Sequence, residues 1–589
     1  MDSTLKPKDY YSCYAVIVEG GGKVRVESSK FVSGGCWNVY ALNIYASGVS
    51  IVGTTFYYCM GGVYIKDASN VSILDCVSRL SFSYHIRIVN SFNVTLNSSE
   101  IICREVSGGC IITIYVRGLV ISGSSSITVS GCVFKYCTTA IDIENSDDIM
   151  IYGVTIEHSD GSAVYLEGSS FVCVESSTLM YNVYGVRIFD SGNITLLDLE
   201  LYDDGVWIYD VDEVQLGSIL LCNVSNNGRP IVMFINETNL NISERYGEVL
   251  LFYCVNVSVY VDVFGLEAYS SRCISLVGVE IRDNDFGLLL LDSEEVSISD
   301  SAILSTYYGV YSDNLRCLYA ENITINSTYV IYAMSTENVY VNGAVLCGDY
   351  GITFRKAENL DLRFLSFNKW INLEMVNYSL ILNSSLSGIT LENSIFFNVS
   401  GNNLDMKKKA SNVLDIYSCF NGMLMNNVMC RGHYGVKIQC CENITMVRNN
   451  VSQNNYGIYV EQSGNIWVTG NIIQENEEGI NIVAVDNTVL RDNRLINDLL
   501  KIFDTQYDSI EIANNTVNGF PVVVIYDMIG VDLVNEDLGE VLICDSDSIH
   551  IEGVSLGGLF VDNSSGVEVA YTYISVSYTH LTLPTTERV

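Results

Sequence analysis

The sequence predicts an all-β fold, a single-stranded right-handed parallel β-helix of about 22 residues per coil. Three observations predict it. A small residue followed by an aliphatic one recurs at Gly435-Val436, Gly457-Ile458 and Gly479-Ile480, at 22-residue spacing. An asparagine recurs eight residues after that small residue. The composition, 49% hydrophobic and 17% charged with 46 Gly and 4 Pro, suits short strands joined by tight turns.

The small-aliphatic pair marks the start of a strand, and it recurs at Ala140-Ile141, Ala163-Val164, Gly185-Val186, Gly205-Val206, Gly287-Leu288, Gly309-Val310 and Gly351-Ile352. Runs such as Gly457-Ile458-Tyr459-Val460 alternate apolar and polar residues, as a strand with one buried face requires. The asparagine column comprises Asn70, Asn193, Asn338, Asn359, Asn443, Asn465 and Asn487, with Asp148, Glu213 and Glu295 at the same offset. A second column, three residues before the small residue, holds Asn182, Asn284, Asn454 and Asn476. Stacked coils place like side chains above one another at about 4.8 Å, and an amide can both donate and accept along such a stack. Asn also tolerates the left-handed backbone that a corner needs. The two columns are therefore expected to mark two corners, the amides stacking rung on rung. Residues 1–575 would make about 26 coils at this period.

One long-range repeat interrupts the pattern. Asn227-Gly228-Arg229-Pro230 is followed by Gly247-Glu248-Val249, and Asn518-Gly519-Phe520-Pro521 by Gly539-Glu540-Val541. Pro blocks strand pairing on one side. Each module is expected to break the coils with a wider excursion. The chain reads as two blocks, 1–262 closed by a module at 226–262, and 263–575 with a matching module at 517–556. Residues 576–589 lose the repeat and resemble one translated frame of a sequencing adapter, so they are read as an artefactual tail.

The net charge is −37, from 31 basic and 68 acidic residues, which excludes a nucleic-acid partner and attracts cations. The 19 cysteines form no CxxC pairs. They read as small buried hydrophobes, as with Cys110 and Cys132 at repeat spacing, with disulfides or metal ligation as the alternatives. The five histidines are far apart in sequence and give no metal-site pattern. No signal peptide is visible at Met1–Lys8, and no apolar run is long enough for a membrane-spanning helix.

The segment from Asn454 to Asn476 resembles the repeats of the pectin-lyase-like superfamily, and most closely its NosD-like branch. The Asn-Gly-x-Pro module looks like one that punctuates archaeal surface-type β-helix proteins. The resemblance implies the fold over most of the chain and constrains function weakly, because many activities share these repeats. Enzymes of this superfamily act on acidic polysaccharides. Its hydrolases would need paired acidic residues, a Gly-His-Gly and an Arg-x-Lys. Gly432-His433-Tyr434-Gly435 with Lys437 departs from that arrangement. Asp203-Asp204 is the best acidic doublet for acid-base work, and a solvated turn is the competing reading. The superfamily's lyases would need Ca²⁺ held by Asp with Arg as base. Asp283 and Asp285 beside Arg282 are the candidate ligands, at a corner that also holds Asn284. Ca²⁺ is the one cofactor considered; otherwise none is expected.

Sequons for N-glycosylation include Asn93, Asn223, Asn236, Asn256, Asn322, Asn383, Asn398, Asn514 and Asn563. Some sequons, such as Asn443, fall on the corner column itself, where the fold alone accounts for them. The resulting expectation is a structural or carbohydrate-binding protein, extracellular or at the cell surface, with a polysaccharide or surface glycan as partner. The alternative is a polysaccharide lyase or glycoside hydrolase acting on acidic polysaccharide.

Overall fold

A computed structural model describes residues 3–5, 14–20, 23–35, 39–104, 115–282, 286–407, 410–503, 505 and 507–574. The expectations on Cys110, Asp283, Asn284, Asp285 and the 576–589 tail fall outside these residues. The fold is a right-handed parallel β-solenoid of about 24 coils with about 22 residues per coil. The chain divides into two compact units. One comprises Met1–Ser271, Val279–Leu289 and Ile303–Tyr308; the other Arg272–Gly278, Leu290–Ala302 and Gly309–Val589.

One coil of the second unit shows how sequence makes structure. Its strands are Tyr456–Glu461, Gly464–Thr469 and Ile472–Gln474. Each pairs in parallel with its equivalents one coil before and after: Ile458 with Val436 and Ile480, Ile466 with Ile444, Ile473 with Val451 and Leu495. Ile458, Val460, Ile466, Val468 and Ile473 point inward and are fully buried. Four residues of this coil, Gln462, Asn465, Gly470 and Glu475, have φ between 48° and 65°. These left-handed positions turn the chain between and within the three faces.

The small residue of the repeat has a packing cause. A Cβ on Gly457 would lie 2.5 Å from the carbonyl oxygen of Gly479, and one on Gly479 2.4 Å from that of Leu499. Backbone of the next coil leaves no room for it. Gly457→Ala is expected to cost about 1–3 kcal/mol in urea unfolding. Gly464→Ala, which meets open space and needs no left-handed backbone, should change stability by less than about 0.5 kcal/mol.

In the first unit, nine parallel strands form one face: Val16–Glu19, Leu42–Tyr45, Val63–Lys66, Tyr84–Val89, Arg117–Ser122, Thr139–Glu144, Ser162–Glu167, Tyr184–Phe189 and Val206–Tyr209. At the corner after these strands a buried serine ladder runs up the coils. The backbone N–H of Ser91 donates to the Ser124 hydroxyl, Ser124 to Ser146, Ser146 to Ser169 and Ser169 to Ser191, at 3.0–3.1 Å.

The Asn-Gly-x-Pro modules form β-hairpins. Asn226 pairs with Arg229 and Ser225 with Pro230 in antiparallel register, and Val517 pairs with Phe520 and Thr516 with Pro521. Asn227-Gly228 (φ 48° and 74°) and Asn518-Gly519 (φ 52° and 86°) are the two central turn residues. Positive φ at both positions is the type I′ geometry that Asn-Gly favours. Each hairpin displaces the next coil and leaves strand donors to satisfy. The Val206 N–H donates to the buried Glu248 carboxylate at 2.8 Å, and the Leu500 N–H to that of Glu540 at 2.9 Å.

Asparagine ladders run through the interior, but only partly where spacing put them. The column of Asn454 and Asn476 is buried: Asn454 Oδ1 accepts the Gly432 N–H, Asn476 Oδ1 accepts the backbone N–H and side-chain NH₂ of Asn454, and the two oxygens of Asp498 accept those of Asn476. Asn182 donates in the same way to Asp204. The final member only accepts, a role that suits a carboxyl. The other column lies outside. Asn70, Asn193, Asn338, Asn359, Asn443, Asn465 and Asn487 all have φ of 42–60° and are exposed or half-exposed. Asn359 reaches Asn338 at 3.0 Å, but Asn465 donates to Glu442 at 3.2 Å rather than to a neighbouring asparagine. Glu213 leaves the column altogether and begins a short helix, Glu213–Gly217, capped by Asp212.

Candidate functional site: the outward face of the nine-stranded sheet

Alternation puts every second residue of the nine strands outward. One outward row runs Asn43, Tyr64, Arg87, Val120, Asp142, Tyr165, Arg187 and Trp207 in register across adjacent strands. The row two residues on contains Lys66, Glu144, Glu167, Phe189 and Tyr209. Glu144 and Glu167 are direct cross-strand partners. Two like charges opposite one another oppose sheet stability, so their pairing needs a reason beyond folding.

The geometry supplies one. Arg117 reaches both Asp142 and Glu144, the latter at 3.1 Å. The Tyr165 hydroxyl donates to Glu167 at 3.1 Å. The Arg187 guanidinium lies 4.3–5.3 Å from the ring centroids of Trp207, Tyr184, Tyr165 and Tyr209, and donates to the Tyr209 hydroxyl at 2.8 Å. Asp142 is 1% exposed. Burial, opposed by Arg117 and aided by Glu144 and Glu167, pushes its pKa up to about 6. Burial likewise raises the Tyr165 phenol. Four buried polar atoms on this face, Asp142 Oδ1, Arg87 Nε, Arg187 Nε and Trp207 Nε1, have no hydrogen-bond partner among the described residues. Such atoms cost free energy unless water or a ligand meets them. The face thus combines stacking rings, cationic donors and a carboxyl held partly protonated near neutrality, equipment for binding a hydroxylated polymer and for acid-base chemistry on it.

Sequence reasoning missed this face. Its signal was present: acidic, basic and aromatic residues sit at the polar positions of consecutive strands, where solvent exposure alone asks only for Ser or Thr. The residues singled out from sequence are placed elsewhere. Asp203 and Asp204 do not act together: Asp203 is exposed in a left-handed turn and accepts from Asn227, whereas Asp204 is buried at the end of the Asn182 ladder. His433 packs edge-on against Tyr434 and Tyr456, with Nδ1 3.0 Å from the Asn455 amide nitrogen. Among the described residues no group of three or more His, Cys, Asp or Glu side chains is placed to hold a metal ion. Cys103 and Cys137 form a disulfide, and the free thiols of Cys59, Cys76, Cys132, Cys254, Cys419, Cys441 and Cys544 are buried. Of the sequon residues, Asn93, Asn223, Asn236, Asn256, Asn322, Asn383, Asn514 and Asn563 are exposed with left-handed backbone, Asn93, Asn223 and Asn256 of them within strands, while Asn398 lies in a strand without it and accepts from Ser400. No described helix is long and apolar enough to cross a membrane.

Two family models match the chain and agree on the fold. Residues 371–553 match the family described as periplasmic copper-binding protein (NosD), and residues 106–210 match the right-handed β-helix region family. No curated protein matches. Solved structures similar to the chain include the PL6 family alginate lyase AlyGC (9% identity, 86% of this chain and 95% of that chain, TM-score 0.24). The surface adhesin PfbA of Streptococcus pneumoniae gives 11% identity over 60% of this chain and 83% of that one, with a TM-score of 0.23. The periplasmic alginate epimerase AlgG gives 12% identity over 66% and 78%, with a TM-score of 0.19. Coil register, family matches and repeat period converge: the chain is a right-handed parallel β-helix repeat protein with a NosD-like segment at 371–553.

Proposed function

We propose that this protein is a polysaccharide-binding protein of the cell surface or periplasm, and that it holds an acidic polysaccharide along the outward face of the nine-stranded sheet. The observation that carries the reading is Arg187, seated among four aromatic rings with its Nε unpartnered, beside the unpartnered Trp207 Nε1. Rings stack on the C–H faces of sugars, and a guanidinium recognises a sugar carboxylate. The net charge of −37 repels a polyanion at long range, so recognition depends on these short-range contacts. Affinity electrophoresis through gels containing alginate or polygalacturonate should retard the protein. Arg187→Ala is expected to weaken binding at least about tenfold, since a charge-assisted contact contributes about 1.5–3 kcal/mol. Equal mobility of both proteins at every polymer concentration would reject the face as the site.

Asp142 favours a second reading, cleavage of the bound polymer. Its carboxyl, with a pKa near 6, is poised to give or take a proton next to Glu144 and Glu167. Release of reducing ends or unsaturated products, assayed with Ca²⁺ supplied and abolished by Asp142→Asn, would establish it. Silence over acidic and neutral polysaccharides leaves the binding reading alone.

A further inference from the structure

In the first unit, one edge of the coils carries a column of corner side chains. Backbone hydrogen bonds link its rungs in the order Tyr58, Leu80, Cys103, Tyr136, His158 and Tyr181, read through Arg79, Ile102, Lys135, Glu157 and Met180. Above the gap the rings stack: Tyr136 on His158 at 5.3 Å and 5°, His158 on Tyr181 at 5.4 Å and 19°. The rung below Tyr136 holds Cys103, drawn into a disulfide with Cys137. No ring fills that rung. From Leu80 to Tyr136 the column spans two strand spacings, about 9.6 Å. A single flat ring fits between them at ordinary contact distance on each side.

A groove of about 490 Å³ opens there, a size typical of small-molecule sites. Tyr58, Phe82, Tyr115 and Tyr136 line it with rings, Tyr58 and Phe82 each 44% exposed. Its polar rim is the Arg104–Asp160 ion pair at 2.6 Å, with Ser81 and Thr138 also lining the groove. Ser81 is buried and its hydroxyl has no partner among the described residues.

We infer that this groove is a second carbohydrate site, taking one pyranose ring of a neutral oligosaccharide. The ring's C–H face stacks on the free face of Tyr136, and its hydroxyls meet Ser81, Arg104 and Asp160. A neutral sugar fits because Arg104 and Asp160 cancel each other, and among the described residues no other charged group lines the groove. A purely aromatic ligand would leave the Ser81 hydroxyl and the rim unanswered. The inference goes beyond the polysaccharide face and stands apart from it.

Isothermal titration of the whole chain with cellohexaose and mannohexaose tests it. At least one should bind. Tyr136→Ala and Asp160→Ala should each weaken that binding about tenfold or more. Tyr181→Ala, which shortens the same ring column away from the groove, should leave it unchanged, which separates contact from column stability. Arg187→Ala should also leave it unchanged, so failure here and failure of the polysaccharide face are distinguishable. No heat with either hexasaccharide overturns the inference. So does binding that survives both groove variants, or that falls equally in Tyr181→Ala.

Discussion

Asn471→Leu is expected to lower the stability of the second unit by about 3–5 kcal/mol, the largest single-residue effect anticipated outside the binding faces. Asn471 belongs to a buried ladder of six: Asn402, Asn427, Asn449, Asn471, Asn493 and Asn515. Its Oδ1 accepts the Asn449 N–H at 2.9 Å and the Asn449 NH₂ at 3.0 Å. Its own NH₂ donates to the Met446 carbonyl and to Asn493 Oδ1, both at 3.0 Å. Leucine removes every side-chain bond at once and leaves the Asn449 backbone N–H and one hydrogen of its NH₂ buried and orphaned, each at about 1–3 kcal/mol, while the other hydrogen keeps the Leu424 carbonyl. Because a coil contacts only its neighbours, the damage should stay local. Hydrogen exchange should therefore show protection lost around 446–493 and retained elsewhere in the unit. The comparison is Asn465→Leu, six residues away. Asn465 is half-exposed, and it gives up one 3.2 Å bond to Glu442 and a left-handed backbone at φ 52°. Its cost should be about 1–2 kcal/mol. Equal losses in the two variants would mean that the interior ladder carries no special share of stability.

The second large effect is on pH. Among the described residues burial raises five carboxyls: Asp142 to about 6, Asp498 to about 7, Glu540 to about 8, Asp204 well above the usual carboxylate range, and Asp313 upward with Asp292 adding to the effect. A carboxyl with a folded pKa above its unfolded value, near 4, binds its proton more tightly in the native state. Its contribution is fully present below the unfolded pKa and is lost as pH rises through the folded value. These groups should therefore make the protein more stable at pH 5 than at pH 8, by several kcal/mol together. The geometry explains why they are tolerated. Asp204 and Asp498 end asparagine ladders, and Glu540 stands in for the strand that the 518–519 hairpin displaces, with Lys501 as its nearby cation. Glu540→Gln keeps an acceptor for the Leu500 N–H and removes one titration. Urea midpoints measured from pH 5 to 8 should fall less steeply in this variant than in the parent. A parent curve that is flat or rises with pH would contradict the account.

Much of this architecture is readable in one dimension because a solenoid turns sequence spacing into spatial adjacency. The 22-residue period fixes which residues lie above one another, so Gly435, Gly457 and Gly479 stack by arithmetic alone. The ladder of Asn427, Asn449, Asn471, Asn493 and Asn515 is equally visible at 22-residue spacing, yet spacing does not say which column faces in. Asn465 takes a left-handed backbone itself and Asn471 follows the left-handed Gly470, and only the fold shows that Asn471 points into the core while Asn465 points out. The Asn-Gly-x-Pro repeat was legible as an interruption. That Glu248 and Glu540 reach back about 40 residues to satisfy Val206 and Leu500 was not, because those contacts skip the period.

The proposed binding face divides in the same way. Sequence by itself determined the coil, its period and its acidic, solvated exterior, since each depends on local pattern and composition. Only the tertiary structure decided the site. Asp142, Glu144, Glu167, Arg117 and Arg187 come from four successive coils, and nothing in any one coil marks them. The adjacent acids Asp203 and Asp204, conspicuous in sequence, part at a corner between strands: the left-handed backbone at Asp203 (φ 55°) leaves its side chain exposed, while Asp204 is buried beneath the Asn182 ladder. Chemistry on a β-helix is assembled across rungs, at right angles to the chain, and that direction is the one a sequence does not display.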